Sequence, residues 1–341
     1  AAPLLFIRPR RPCMATPPDM ATRKLTVCVT GASGFIASHI VRLCLERGHR
    51  VRGTVRDAGN EGKTKHLRDL PGAADGLQLF SAELLKEGSF DEAVAGCDGV
   101  FHAASPLPMG KGADDPDNAV IKPAVEGTLN VMRACVKAKV GTVVLTSSMS
   151  AMAPDPEPEV KTEDHWSDPE RQRAKGSHYG AGKTLAERAA MEFLSAEAPS
   201  CRLVRICPTM VLGPMLQPEP NMTMLGYRNW LQNGRGAGTC PNDSMSFVDV
   251  RDCAQQHVVA MEEQGCSGRY MSLESSLHWN DLVPLMREIH PPMPDSAPCE
   301  NPCRPTQFDK RRQDSLGVEL RKVPEILRDA AGELKAKGLL E

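Results

Sequence analysis

A glycine-containing turn between a strand pattern and a helix pattern constrains this chain more than any other feature. The apolar, β-branched run Leu25–Thr30 predicts a buried strand, and apolar residues recur at helical spacing from Phe35 onward. The turn between them has the spacing Gly-x-x-Gly-x-x-Ala, formed by Gly31, Gly34 and Ala37. Glycines allow a tight turn and a close approach of the backbone to phosphate oxygens, and the helix N-terminus offers free amides. The segment therefore predicts a pyrophosphate-binding turn.

Strand and helix patterns alternate over most of the chain. Further strands are predicted at 49–56, 77–80, 99–103, 141–146 and 202–207, with helices at 64–69, 89–95, 117–138 and 179–194. This alternation predicts an α/β fold with a doubly wound parallel Rossmann sheet, which binds ligands beyond the carboxyl ends of its strands. Segments 214–242 and 291–305 are loop-rich, and helices are predicted near 279–289 and 323–337. The loss of the alternation predicts a smaller C-terminal substrate-binding lobe.

These patterns divide the chain into three parts. An NAD(P)-binding Rossmann domain covers 24–210, with 246–262 returning to it, and the substrate-binding lobe covers 211–245 and 263–341. Residues 1–23 are rich in arginine and contain one acid, Asp19, so we expect a tail outside the fold. A targeting remnant and an over-long gene model both remain open for this tail.

Composition excludes several classes of partner. A net charge of −2 with 25% charged residues gives no reason to expect a nucleic acid or a membrane surface, and no apolar run approaches the roughly 20 residues of a membrane helix. The 12 cysteines are scattered, which favours a reducing compartment. We expect a cytoplasmic monomer or homodimer, with organelle import through residues 1–23 still open.

Two clusters have metal-binding composition. Cys299 and Cys303 lie in a Pro-rich segment, and Glu163, His165 and Asp168 lie close together in another. An ordinary loop and a solvated acidic face are the simpler interpretations of the two. We therefore expect no metal.

Tyr179 and Lys183 are four residues apart on a predicted helix, so their side chains share one face. Tyrosine in water has a pKa of about 10, and a neighbouring ammonium favours the phenolate and lowers that value. A positioned phenol can protonate the oxyanion that forms when a hydride reaches a carbonyl carbon. Ser148, at the end of the fifth strand, can donate a hydrogen bond to the same oxygen. Together with the glycine turn, these residues predict nicotinamide-dependent carbonyl chemistry.

On these motifs the chain resembles the extended short-chain dehydrogenases/reductases, in the branch of plant dihydroflavonol and cinnamoyl-CoA reductases. The similarity runs from about Leu25 to the end of the chain. The resemblance implies a catalytic triad of Ser148, Tyr179 and Lys183. It also implies a set of residues around the cofactor: Thr30, Gly31, Ser33, Gly34, Phe35, Ile36, Arg56, Lys63, Glu83, Leu84, Ala103, Ser105, Tyr179, Lys183, Pro208 and Met210.

The chain departs from both plant enzymes near the substrate. Cinnamoyl-CoA reductases resemble one another in an Asn-Trp-Tyr-Cys-Tyr-Gly-Lys segment, which here is Gly176 to Lys183 with different residues. Dihydroflavonol reductases tend to carry an asparagine where this chain has Ala153. Neither plant assignment is therefore adopted from the sequence.

The end of the second strand bears on the choice of cofactor. Two cationic residues, Arg56 and Lys63, and one acidic residue, Asp57, occur where related enzymes contact the 2′-phosphate. Because a dianionic phosphate is attracted by two cations, we expect NADPH.

Substrate contacts are expected from two segments, 149–154 and 216–240. The candidates are Met149, Ala153, Tyr227 and Trp230, and the aromatic pair favours an apolar or aromatic carbonyl compound. Packing of Tyr227 and Trp230 within the lobe's own helix is an open alternative. The only basic residues there are Arg228 and Arg235, which disfavours substrates with several phosphates.

Three functions remain in competition. The first is an NADPH-dependent reductase of an aldehyde, ketone or acyl-thioester carbonyl, with Tyr179 as proton donor. The second is an NAD-linked hydroxysteroid-type dehydrogenase or a sugar-nucleotide epimerase. The third is a non-catalytic cofactor-binding subunit of a larger assembly, which the presence of both Tyr179 and Lys183 disfavours.

Overall fold

Seven parallel strands form the central sheet of the computed structural model, in which residues 23–106, 115–236 and 238–341 are described. They are β1 (Thr26–Thr30), β2 (Arg50–Val55), β3 (Leu77–Ser81), β4 (Gly99–His102), β5 (Thr142–Thr146), β7 (Arg202–Pro208) and β10 (Gly268–Ser272). Their order across the sheet is β3-β2-β1-β4-β5-β7-β10. The α/β doubly wound parallel sheet predicted from the sequence is confirmed.

Helices cover both faces of this sheet. They are α1 (Phe35–Glu46), α2 (Glu61–Arg68), α3 (Ala73–Gly76), α4 (Asp91–Val94), α5 (Lys122–Lys137), α6 (Pro169–Ala174), α7 (His178–Glu197) and α9 (Val250–Glu262). Strand residues alternate between two apolar layers, because successive side chains of a strand point to opposite faces. Val27 and Val29 pack with residues of α1 and α9, whereas Cys28 packs with residues of α4, α5 and α7.

The C-terminal part adds small sheets and further helices. Its elements are β8 (Met210–Leu212), α8 (Met222–Asn233), β9 (Ser244–Asp249), β11 (Ser275–His278), α10 (Trp279–Ile289), α11 (Arg311–Asp314) and α12 (Val323–Ala336), and β12 (Gln307–Phe308) pairs with β6 (Val160–Lys161). A third apolar cluster gathers residues of α8, α10 and α12. This cluster is the core of the C-terminal lobe.

The structure differs from the elements predicted from the sequence in two places. Residues 268–272 form a seventh strand of the central sheet, although the sequence assigned all of 263–341 to the lobe. This strand was missed because its buried positions include Arg269 and Ser272, which interrupt an apolar pattern. Segment 214–242, predicted to be loop-rich, contains the helix α8.

Among the described residues, no helix has the length and apolar character that crossing a bilayer requires. The predicted tail lies outside the described residues except for Arg23, whose guanidinium pairs with Asp98 at 2.6 Å.

Candidate active site

The strand order reverses between β1 and β4, so the connections from these two strands leave in opposite directions. A crevice opens at such a switch point beyond the carboxyl ends of the strands. The last residues of the two strands, Thr30 and His102, are register partners. The glycine turn follows Thr30, and Ala103 to Ser105 follow His102, so both segments border the crevice.

The glycine turn has the conformation that a phosphate cradle requires. Gly31 has φ +63°, and a Cβ there would lie 3.0 Å from the Cα of Ala104 across the crevice. Gly34 begins α1 in an extended conformation, and a Cβ there would lie 3.1 Å from the carbonyl oxygen of Gly31. As a glycine, Gly34 has no side chain to cap the first-turn amides, which leaves them open to an anion. The turn therefore fits a dinucleotide pyrophosphate.

The remaining residues of the turn differ in exposure. Thr30 is buried, Ser33 and Ile36 are half-buried, and Phe35 is 7% exposed. The Phe35 ring packs into the apolar cluster of the C-terminal lobe. Phe35 therefore ties helix α1 to the lobe.

Two buried histidines support this turn, and the sequence did not identify them. His102 Nδ1 lies 2.9 Å from the Thr30 hydroxyl, and His39 Nε2 lies 2.9 Å from the carbonyl oxygen of Pro214. A carbonyl only accepts, so His39 carries its proton on Nε2. Burial lowers the pKa of His39 to about 4 and, together with the nearby Lys183 ammonium, lowers that of His102 to about 3. Both imidazoles are therefore neutral at pH 7.

The side chains of Tyr179 and Lys183 lie together on α7, as predicted. The Lys183 ammonium is 6.0 Å from the centroid of the Tyr179 ring and donates to the carbonyl oxygen of Thr146 at 3.0 Å. Tyr179 is 39% exposed, an unusual value for an aromatic residue in a helix that packs on the sheet. The Tyr179 side chain is thus accessible to solvent, while the ammonium beside it is anchored to the end of β5.

The two serines after β5 have different roles. The Ser147 hydroxyl is buried and donates to the Glu187 carboxylate at 2.6 Å. The Ser148 hydroxyl accepts a bond from the Ser150 amide at 3.1 Å, and its proton has no acceptor among the residues described. Ser148, the predicted member of the triad, is therefore the serine that can donate to a ligand.

The end of β2 holds the groups that the sequence assigned to the 2′-phosphate. Arg56 is exposed and pairs with no carboxylate of the described segments. The Asp57 carboxylate accepts the Gly59 amide at 2.9 Å. The Lys63 ammonium lies 2.5 Å from the carboxylate of Glu219, in the segment after β8. Arg56 is thus the cation most available to a phosphate here.

Two of the other cofactor candidates line a cleft beside Lys183. Leu84 and Ser105 line this cleft together with Lys183, and Ala103 is half-buried next to it. Glu83 is exposed, and the Leu84 carbonyl accepts from the Asn130 amide at 2.8 Å. Pro208 is buried at the end of β7, and Met210 is half-buried at the start of β8.

The substrate candidates separate into two groups. Met149 is half-buried and Ala153 is exposed in the turn after Ser148. Tyr227 is completely buried and its hydroxyl donates to the Leu327 carbonyl at 3.0 Å, so it cannot contact a substrate in this conformation. Trp230 packs edge-to-face on Trp279, with ring centroids 4.9 Å apart. For Tyr227 the structure favours the alternative that the sequence left open, packing within the lobe, because its hydroxyl is satisfied there.

The two clusters of metal-binding composition have structural contacts. Glu163 is buried and accepts the Met271 amide at 3.4 Å, so it is not part of a solvated face as the sequence suggested. Asp168 caps helix α6. The Cys299 thiol lies 3.7 Å from the His278 ring, and both Cys299 and Cys303 are free thiols.

Comparisons with known proteins identify the family and the fold. The model of the NAD dependent epimerase/dehydratase family matches residues 27–271. Cinnamoyl-CoA reductase CAD2 of Medicago truncatula is 40% identical over 91% of this chain and 96% of its own length. Tetraketide alpha-pyrone reductase 2 of Arabidopsis thaliana is 39% identical over 92% of this chain and 98% of its own. The solved complex of Gre2 from Candida albicans with NADPH has a TM-score of 0.80 and 25% identity, covering 92% of this chain and 99% of that one.

Replacing Gly31 by alanine tests the turn. A Cβ at φ +63° is strained and approaches Ala104 at 3.0 Å, so we expect dinucleotide affinity to fall by about 1 kcal/mol or more, a roughly 5- to 10-fold rise in Kd. Titration calorimetry measures the Kd. Gly332→Ala is the control, because a Cβ there meets nothing within 4 Å in helix α12 and Kd should not change. An unchanged Kd in Gly31→Ala would contradict this geometry.

Replacing His39 by glutamine tests the buried imidazole. A histidine with a folded pKa of about 4 and an unfolded value of 6.5 contributes stability that is complete above pH 6.5 and is lost as the pH falls toward 4. Glutamine can still donate to the Pro214 carbonyl but does not titrate. Between about pH 7.5 and pH 5.5, the variant should lose about 1 kcal/mol less unfolding free energy than the wild type. Urea unfolding at the two pH values measures this, and equal losses in both proteins would exclude the assignment.

Proposed function

We propose that this chain, which belongs to the NAD dependent epimerase/dehydratase family, is an NADPH-dependent reductase of an apolar or aromatic aldehyde or ketone, with Tyr179 as proton donor. Its relatives over more than nine-tenths of the chain are named reductases, and the chain is an oxidoreductase. The observation that carries the proposal is the half-open Tyr179 phenol beside a Lys183 ammonium that is anchored to the end of β5.

The contacts of Tyr179 and Lys183 suit proton transfer. When bound, the nicotinamide supplies the hydride that reaches the carbonyl carbon. The oxyanion formed needs a proton, which the Tyr179 phenol can give from the open side of the crevice. The Lys183 ammonium stabilises the phenolate that remains, because an opposite charge favours the ionised form.

The Ser148 hydroxyl suits the carbonyl oxygen of the substrate. Since it accepts from the Ser150 amide, its own O–H is directed away from that bond and is left to donate. A donor fixed before the reaction stabilises developing charge without reorganisation. Ser148 and Tyr179 would then hold the same oxygen from two sides.

The cofactor proposal depends on charge at the end of β2. Asp57 is engaged by the Gly59 amide, whereas Arg56 is exposed and without an acidic partner in the described segments. A phosphate there would meet a guanidinium, with which it can form bidentate hydrogen bonds. The Gre2 complex holds NADPH in a similar fold. NADPH therefore fits this end of the crevice better than NADH.

The substrate class is inferred from the turn after Ser148 and from the relatives. Met149 is a half-buried, adaptable apolar side chain at the crevice, and the relatives are named for cinnamoyl-CoA and an α-pyrone, both unsaturated compounds. The guanidinium of Arg235 stacks on Trp279 at 5.0 Å, so it is not a free phosphate ligand. Both relatives are named reductases, which makes the epimerase alternative the weaker one.

Replacing Tyr179 by phenylalanine tests the proton donor. Only the hydroxyl is lost, so NADPH should bind with a Kd within about 3-fold of the wild type while kcat falls by roughly 10²-fold or more. Stopped-flow measurement of NADPH oxidation with cinnamaldehyde reports kcat. Tyr270→Phe is the matched control, because that hydroxyl accepts the Ser267 amide within the central sheet. A near-wild-type kcat in Tyr179→Phe would place the donor elsewhere.

Replacing Arg56 by alanine tests cofactor choice. Loss of the guanidinium should weaken NADPH binding about 10-fold or more and leave NADH binding unchanged, because NADH has no 2′-phosphate. Fluorescence titration with both nucleotides gives the Kd values. Lys65→Ala is the control, since that ammonium is paired with Asp69 on the same loop-helix segment at 2.6 Å. A wild type that binds NADH as tightly as NADPH would refute the proposal.

A further inference from the structure

A buried carboxylate lies directly beneath the serines that follow β5. Glu187 accepts bonds from Arg269 through Nε at 2.5 Å and Nη2 at 3.0 Å, and from the Ser147 hydroxyl at 2.6 Å. Arg205 lies 3.5 Å from the same carboxylate. The side chain of Glu187 is 0% exposed and that of Arg269 is 2% exposed. An ion pair held this far from water has a fixed geometry and is little screened.

The Arg269 guanidinium reaches a second segment with its remaining hydrogens. It donates to the carbonyl oxygens of His165 at 2.6 Å and of Ala151 at 3.3 Å, and it stacks on the Trp166 ring at 3.4 Å from the centroid. Ala151 belongs to the 3₁₀ turn Met149–Met152 that begins immediately after Ser148. One planar group therefore joins helix α7 to the segment that carries the predicted substrate contacts.

Helix α7 thus holds the end of β5 at two points. Lys183 donates to the Thr146 carbonyl, and Glu187, four residues later on the same helix face, accepts from the Ser147 hydroxyl. Ser148 is the next residue along the chain. Tyr179 lies on helix α7. The position of Ser148 relative to Tyr179 is therefore set by these two contacts and by Arg269, which binds Glu187.

We infer that Glu187 and Arg269 are positioning residues for the reductase reaction proposed above. Glu187 borders the cleft beside Lys183, but its side chain is 0% exposed and its carboxylate is occupied by Arg269 and Ser147, and the Arg269 side chain is only 2% exposed. They fix the backbone from Ser147 to Trp166 against helix α7, so that the Ser148 hydroxyl and the Tyr179 phenol converge on one oxygen. Because reaction rates depend steeply on such alignment, a small shift of this segment should lower kcat while leaving the cofactor site intact.

The test compares Arg269→Lys with the wild type. Lysine keeps the positive charge but cannot serve the carboxylate and both carbonyl groups at once. We expect kcat with cinnamaldehyde to fall about 10²-fold, the NADPH Kd to stay within about 3-fold, and amide hydrogen exchange to rise in residues 149–166. Asp252→Asn is the control, because it weakens the ion pair of another buried carboxylate, with the partly exposed Arg321. Its kcat should change less than about 2-fold at an equal or greater loss of Tm.

Ser147→Ala supplies a milder variant that keeps both charges. It removes the link between Glu187 and the chain before Ser148, and we expect kcat to fall about 10-fold with an unchanged NADPH Kd.

The inference is overturned if kcat in Arg269→Lys and Ser147→Ala falls no more than in Asp252→Asn, or if the NADPH Kd rises in parallel with the loss of kcat. It is also overturned if exchange in 149–166 does not change in Arg269→Lys. If none of the carbonyl compounds tested is reduced by the wild type with NADPH, the proposed reaction is rejected. The exchange result would still decide whether residues 149–166 are held by Arg269.

Discussion

The contact between helix α7 and the end of strand β5 determines the rest of the site. Lys183 donates to the last carbonyl of this strand, that of Thr146, and Glu187 accepts from the next hydroxyl, that of Ser147. Parallel strands end with unpaired carbonyl groups at one edge of the sheet, and these groups need donors when they are buried. Helix α7 supplies such a donor to the Thr146 carbonyl, and the same helix carries the accessible Tyr179 side chain. Helix α7 and the end of β5 are thus one unit.

Two further segments use the same edge of the sheet. The glycine turn after β1 and the segment after β4 approach so closely that a single methyl group at Gly31 would contact Ala104. On the opposite side, Phe35 and the His39–Pro214 hydrogen bond attach the phosphate-binding helix to the C-terminal lobe. Helix α1 and the C-terminal lobe are therefore joined by buried contacts, and the exposed ion pair of Lys63 with Glu219 adds a link that contributes little.

The sequence predicted the parts of the molecule that follow from local patterns. The glycine turn, the Tyr179–Lys183 spacing and five of the sheet strands after β1 depend on short periodicities, and the structure contains all of them. Residues whose role depends on distant partners were not accessible in this way. Arg269 lies 82 residues from Glu187 in the chain, and a buried arginine in a strand contradicts the apolar pattern that identifies strands. Only the position of Glu187, one turn after Lys183, gave a local indication.

The role of Tyr227 also depends on a distant partner that the sequence does not indicate. An aromatic residue in a lobe sequence is equally compatible with a ligand pocket and with a core, and only the Leu327 carbonyl, 100 residues away, decides between them. The loss of the strand–helix alternation therefore predicted the lobe, but it did not indicate which residues of the lobe are exposed.

The central claim is that this crevice passes a hydride from NADPH to a carbonyl carbon and a proton from Tyr179 to its oxygen. The most direct measurement uses NADPH carrying deuterium in place of either hydrogen at the reactive carbon of the nicotinamide, with cinnamaldehyde as acceptor and mass spectrometry of the alcohol formed. The account predicts that one labelled form transfers its deuterium to the carbinol carbon and the other does not, because the nicotinamide would lie with one face toward Tyr179. An alcohol without deuterium from either form, or with equal label from both, would contradict it.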